Sequence, residues 1–158
     1  MSSNRHEYRA TVTWQRRDED AFLDGKYSRG HSWRFDGGAV VGASSSPNVV
    51  PTPMSVAQNV NPEEAFVASI ASCHMLFFLF HAARGGFVVD RYEDAATGVM
   101  GKNDEGRVAM LSVTLHPRIT FSGNKVPSAS DLSAMHEKSH HDCYISNSVK
   151  TAVVIEQA

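Results

Sequence analysis

Apolar and polar residues alternate along "HEYRATVTW", with Tyr8, Ala10, Val12 and Trp14 on one side and Glu7, Arg9, Thr11 and Thr13 on the other. A period of two predicts a half-buried strand. "DEDAFLDGKY" breaks the alternation as a charged turn, with Asp24-Gly25 as its turn dipeptide. "SRGHSWRFDGG" predicts a second strand closed by Asp36-Gly37-Gly38, and the two strands are expected to form a hairpin. From Ala43 to Asn59 the pattern lapses into small polar residues and three prolines. A loop of that length is often functional or wraps a partner.

The pattern then changes kind. "NPEEAFVASIASCHMLFFLFHAARGG", Asn61 to Gly86, is apolar nearly throughout. Asn61 suits an N-cap, Pro62 the first helical position, and Glu63 and Glu64 the positive end of the helix dipole. Gly85-Gly86 supplies the stop. Apolar residues lie all round this helix, so every face calls for cover. One sheet of so small a chain cannot provide it, which leaves a second helix or a second subunit.

Beyond it, "GFVVDRYEDAATGVMG" and "GRVAMLSVTLHPRITF" are strand-rich and joined by the turn "KNDEGR". Pro117 marks an edge or a kink. "SASDLSAMHEKSHHDCYISNSV" predicts a helix capped at Ser130 or Asp131, with Leu132, Met135 and His136 on one face and the pattern lost near Asp142. "KTAVVIEQA" closes the chain as a strand. The predicted order is β-β-α-β-β-α-β, an α+β plan in one domain over residues 1–158.

Composition narrows the function classes. The 158 residues carry a formal net charge of −2 and a pI near 6.4, and Arg16-Arg17 run directly into Asp18, Glu19 and Asp20. No basic stripe exists, which excludes a nucleic-acid or anionic-membrane surface as partner. "MSSNRHEYRA" lacks the apolar core of a secretory signal. Ala65 to Ala83 has the length of a membrane span, but Ser69, Ser72, His74 and His81 interrupt it and no aromatic belt flanks it. Two cysteines do not make a disulfide scaffold, so a cytoplasmic setting is expected.

Those two cysteines hold the candidate chemistry. Cys73 sits mid-helix among apolar residues, where it is either a small buried hydrophobe or a reactive thiol. Cys143 follows the polar run "HHD", which predicts an accessible thiol. Seventy residues separate them, so only the fold can bring them together. His140, His141 and Cys143 could instead bind zinc, although no CxxC and no finger-type histidine spacing accompanies them. Histidines there also suit the negative end of a helix dipole.

"NPEEAFVASIASCHMLFFL" resembles the signature of the OsmC/Ohr family, the osmotically inducible and organic hydroperoxide resistance proteins. The resemblance rests on Asn-Pro-Glu-Glu, an Ala-rich apolar stretch, and Cys73 in "ASC" at the family offset. Cys143 matches the family's second cysteine, after the second helix and before a closing strand, and the order of elements agrees along nearly the whole chain. His74 after the thiol marks a less characterised branch. The resemblance implies two antiparallel sheets around a long buried central helix. It further implies a thiol peroxidase that needs no metal, haem or other cofactor, with organic hydroperoxide as substrate and an external dithiol or lipoyl-type protein as reductant. Cys73 would be the peroxidatic thiol and Cys143 the resolving one. Glu63 matches the motif glutamate. The family also places an arginine near the thiol, for which Arg29 is the best match and Arg34 the second.

Physical reasoning fits that cast. The dipole of the helix fades within a turn, and Cys73 lies about three turns in, so an arginine is the natural agent to stabilise its thiolate. Glu63 would hold that arginine by a bidentate pair. Phe66, Phe77 and Phe78, with Phe80, would favour an alkyl hydroperoxide over hydrogen peroxide, or else are plain core. Glu63 and Cys73 lie about 15 Å apart along an ideal helix. Two antiparallel copies crossing on a twofold near Ala68 would bring Glu63 of one copy to Cys73 of the other. An intertwined homodimer with composite sites is therefore expected. The rival readings are a non-enzymatic ligand-binding or structural stress-response dimer with bystander thiols, and a metal-binding domain at His140, His141 and Cys143.

Overall fold

Glycine turns and one abrupt change of hydrophobic period set the architecture. The computed structural model describes residues 5–157. The chain forms two compact units that divide between Ala65 and Phe66.

In the first unit, β1 (Ala10–Thr13), β2 (His31–Phe35) and β3 (Val40–Ala43) make an antiparallel sheet in the order β1-β2-β3. Ala10 pairs with Phe35 and Thr13 with Ser32, which is the expected hairpin pairing. The third strand was not expected. Asp36-Gly37-Gly38 turns the chain, with Gly38 at φ +89°, and "VVGA" returns alongside β2. β1 is also not half-buried: Tyr8 is 87% and Val12 65% exposed. Trp14, Phe22 and Tyr27 cluster with ring centroids 4.6–5.9 Å apart. The long loop is pinned rather than loose, since Val56 N–H donates to Ser44 Oγ at 2.9 Å and Asn59 Nδ2 to the Ala43 carbonyl at 3.1 Å.

Helix α1 spans Pro62–Arg84. Its start is a reciprocal capping box: Glu64 N–H donates to Asn61 Oδ1 at 2.9 Å, and Asn61 N–H to Glu64 Oε2 at 3.2 Å. Gly86, at φ +77°, ends it. α1 has the length and mean hydropathy, 1.7, of a membrane span. However, Ile70, His74, Phe78 and Ala82 form a buried stripe along it.

The second unit also holds β4 (Val88–Asp94), β5 (Thr97–Lys102), β6 (Val108–Leu115), β7 (Pro117–Ser122), α2 (Ala129–Asp142) and β8 (Ala152–Ile155). The two strand-rich segments yield four strands rather than two. The Ala95-Ala96 step separates β4 from β5 and His116 separates β6 from β7, so β4 pairs with β7 and β5 with β6. β8 joins β6 in parallel, unlike the expected all-antiparallel sheets, because α2 carries the chain back to the starting end of β6. Two apolar clusters fill the unit. Phe78, Ala82, Phe87 and Met135 pack with Val89, Tyr92, Ile119 and Phe121, and Ile70, Val113 and Leu115 pack with Phe66, Val67 and Met110. The plan is α+β, with three small sheets instead of two.

α1 is not sealed on every side within one chain, since Leu76 is 60% and Phe80 51% exposed. α2 starts earlier than expected. Ser128 is its N-cap, in a capping box with Asp131: "SASD" places Asp131 at the third helical position rather than at the cap.

Candidate active site: a thiol pair where the second helix ends

α2 ends at Asp142, and Cys143 is its C-cap, its N–H donating to the Ser139 carbonyl at 2.9 Å. The chain then turns through the 3-10 segment Ser146–Ser148. This turn folds the Cys143 side chain inward while Tyr144, 71% exposed, points out. Sγ of Cys143 accepts from Ser146 Oγ at 3.2 Å and from Ser146 N–H at 3.4 Å. It also lies near enough to the thiol of Cys73 to raise that thiol's pKa.

Both cysteines are free, and their environments reverse the expectation. Cys143 is fully buried, whereas Cys73 is only half-buried. The polar run before Cys143 describes the outer surface of a helix end, and the cap residue itself faces in.

Burial pushes the Cys73 thiol above its ordinary range, the backbone N–H of Ile145 pulls it down, the neighbouring Cys143 raises it further, and the N–H of Tyr144 lowers it. The sulfur thus faces two amide donors suited to a developing negative charge. Among the described residues of the second unit, no cation acts on it. Phe77, one turn beyond Cys73, stands edge-on to Tyr144 at 5.0 Å. Phe78 is sealed in the core against Tyr92 and His136, and Phe66 packs on the Ile70–Val113–Leu115 cluster.

In the first unit, Arg29 is bound locally. Its Nη1 donates to the carbonyls of Gly25 at 2.7 Å and Tyr27 at 2.5 Å, and its guanidinium lies 3.6 Å from the Tyr27 ring centroid. It makes no ion pair with Glu63 within the chain. Oε2 of Glu63 is buried with no hydrogen-bond partner among the described residues. Arg34 is exposed on β2, in ladder register with Thr11 and Val40.

Two polar links across the α1–α2 seam escaped the sequence reading. Nε2 of His74 and Nδ1 of His136 share a hydrogen bond at 3.0 Å, their rings edge to edge and nearly coplanar, with an interplanar angle of 7°. Nε2 of His81 bonds Oδ2 of Asp142 at 2.9 Å. Burial depresses His74 to about 4, with help from His136 and His140, and burial alone depresses His136 to about 4. Both are neutral near pH 7. Histidines 62 residues apart leave no spacing signal. The one local hint was a histidine at the centre of an apolar helix.

The run His140–His141–Cys143 does not converge. Cys143 faces Cys73, Nδ1 of His141 bonds Asp142 at 2.9 Å on the exposed side, and Nδ1 of His140 is buried with no partner among the described residues. Among the described residues no three His, Cys, Asp or Glu side chains are placed to hold a metal ion.

The family described as OsmC-like protein matches residues 55–158. An OsmC-like protein of unknown function from Vibrio cholerae is 49% identical, covers 98% of this chain and 100% of its own, and superposes with a TM-score of 0.96. An organic hydroperoxide resistance protein from Elizabethkingia anophelis superposes with a TM-score of 0.70 at 16% identity, covering 98% of this chain and 96% of its own. The organic hydroperoxide resistance protein OhrB of Bacillus subtilis gives 0.68 at 17%, covering 97% and 98%. No curated protein matches the chain.

Proposed function

Because the chain belongs to the OsmC-like family, we propose that it is a thiol-dependent peroxidase reducing organic hydroperoxides to alcohols in oxidative-stress defence. The observation that carries the reading is the proximity of the free thiols of Cys73 and Cys143, close enough for one to shift the other's pKa. A fold that joins two thiols from distant segments, one half-exposed and one buried, has the parts of a peroxidatic and resolving pair. Bystander thiols would have no reason to meet. Hydroperoxide resistance in the names of distant relatives agrees with it.

In the proposed cycle the Cys73 thiolate attacks the distal oxygen of ROOH. The O–O bond breaks, the alkoxide takes a proton and leaves as alcohol, and Cys73 becomes a sulfenic acid. Amide donors from Tyr144 and Ile145 face the sulfur throughout. Cys143 then attacks the Cys73 sulfur, and hydroxide leaves as water with the proton of Cys143. An external dithiol, small or lipoyl-type, returns two electrons by exchange. The raised Cys73 thiol at rest calls for a cation to make the thiolate, and Arg29 is the candidate, with Arg34 second. Phe66 and Phe77 would favour an organic R group, while Phe78 serves the core.

The active form in this reading is a homodimer in a reducing cytoplasm. Leu76 and Phe80 leave an apolar face on α1 uncovered, and the unpartnered Glu63 oxygen is what an arginine at a composite site would satisfy. Sedimentation of the reduced protein should give twice the monomer mass. The chemistry is tested by adding cumene hydroperoxide to the reduced protein, followed by non-reducing mass spectrometry. Loss of two hydrogens in a Cys73–Cys143 linked peptide, with cumyl alcohol released, is expected. Hydroperoxide left intact with both thiols free would refute the reading.

A further inference from the structure

A cavity of about 230 Å³ lies between β7 and α2, with neither thiol in its lining. Ile119, Phe121 and Leu132 wall it, Arg118 and Gln157 stand at its edge, and His136 lines it. β7 explains the arrangement. Alternation turns Ile119 and Phe121 toward the core and leaves Arg118 exposed at the rim. Arg118 makes no ion pair among the described residues, because its ladder partner Glu93 is taken by Arg91.

His136 is only 4% exposed. Its Nδ1 is occupied by His74, and among the described residues its Nε2 makes no hydrogen bond. The tautomer follows from the orphan atoms. One proton sits between His74 Nε2 and His136 Nδ1. If His136 donated it, the proton of neutral His74 would lie on Nδ1, which is buried with no partner among the described residues. Orphaned buried N–H groups are rarer than orphaned acceptors. His74 therefore donates, His136 accepts at Nδ1, and its own proton lies on Nε2 as a free donor. A nearly buried imidazole N–H at the wall of an apolar cavity, with an unpaired guanidinium at the rim, has the chemistry of a carboxylate site.

We propose that this cavity binds a small organic monocarboxylate, its apolar body against Ile119, Phe121 and Leu132, its carboxylate between the Arg118 guanidinium and the Nε2–H of His136. The volume is below the span usual for drug-sized ligands, so the occupant is a short-chain or single-ring acid. Asp94, in register with Pro117, is not part of the wall. Its Oδ1 accepts from His116 N–H at 2.7 Å, and burial pushes its carboxyl above the usual range.

The test is a titration of the full chain, labelled with ¹⁵N-histidine, with sodium octanoate at pH 7, following the ring nitrogens. In the free protein His136 should carry its proton on Nε2. That resonance should move saturably with octanoate, with Kd of about 1 mM or tighter. Arg118→Gln and replacement of octanoate by 1-octanol should each weaken binding at least about tenfold. Cys73→Ser should leave it unchanged, which separates this site from the thiol chemistry. A response that survives Arg118→Gln, an equal response to 1-octanol, loss of binding in Cys73→Ser, or no saturable shift at His136 would each overturn the proposal.

Discussion

Mild acid should loosen the α1–α2 seam through His74 and His136. Both imidazoles are held neutral in the fold, with their titration lowered from 6.5 to about 4. The unfolded chain takes up those protons near pH 6.5 and the folded chain does not, so folding stability is complete above about pH 6.5, declines as the pH falls toward 4, and levels off below it. A depression of this size corresponds to at most about 3 kcal/mol per imidazole. The two share one hydrogen bond, so the pair accounts for roughly 3–6 kcal/mol, a large part of the 5–15 kcal/mol typical of a domain. Near the pair stand Phe78 on α1, Tyr92 on β4 through Phe78, His140 on α2 and, across the β7–α2 cavity, Arg118, and none of these is a carboxylate that could stabilise an imidazolium. Asp131 and Asp142, held below the usual range by Ser128 and by His141, lose their contribution only below about pH 4. Asp94, raised by burial, takes up its proton more readily in the fold and works against the slope, so the histidine share between about pH 4.5 and 6.5 is read by difference from a variant lacking both imidazoles. Urea unfolding at half-unit steps in reducing buffer should show stability falling by about 1–2.5 kcal/mol per pH unit. His74→Phe/His136→Leu should nearly abolish that slope, whatever its stability at pH 7. Equal slopes in both proteins, or imidazole titrations near 6.5 in the folded protein by NMR, would refute the reasoning.

Further outcomes concern the thiols and the packing around them. Cys73→Ser should reduce cumene hydroperoxide turnover to background, and Cys143→Ser should let a dimedone-reactive sulfenic acid accumulate on Cys73, both read by intact-mass spectrometry. Ser146→Ala removes the 3.2 Å hydroxyl contact to Cys143 Sγ. It should cost about 1 kcal/mol in urea unfolding and slow disulfide formation in a stopped-flow thiol assay. Gly98→Ala would set its Cβ 2.6 Å from Val67 Cγ2 and 2.7 Å from Met110 Sδ. A loss of about 1–3 kcal/mol by overpacking should appear as a lower Tm in calorimetry.

The features legible in the sequence were those whose physical cause is local. Asn61, Pro62 and Gly85-Gly86 bracket α1 at the observed Pro62–Arg84, because capping and stopping need only neighbouring residues. The β1–β2 pairing was legible for the same reason: alternation and turn chemistry lie on the chain. β3 was missed because "VVGA" is too short to show a period, and it is a strand only through its ladder with β2. The split of each later segment into two strands was missed because a period of two continues across Ala95-Ala96 and His116 while the pairing partner changes.

At the site, legibility divides in the same way. The identity of the two cysteines could be read, but their exposure could not. Hydrophobic pattern reports the mean environment of a helix turn, and a C-cap residue departs from the helix it ends. Cys143 follows three polar residues, yet its backbone N–H still closes the last turn on Ser139 while the 3-10 segment folds its side chain inward. That inversion has a chemical consequence. Cys143 is out of solvent and Cys73 is half-exposed, so in the proposed cycle an oxidant meets the Cys73 sulfur first. The His74–His136 link holds α1 to α2 beside Cys73 and lies wholly in tertiary packing. Its neutrality at pH 7 keeps the seam free of buried charge. The link between α1 and α2 therefore holds at neutral pH and weakens in acid.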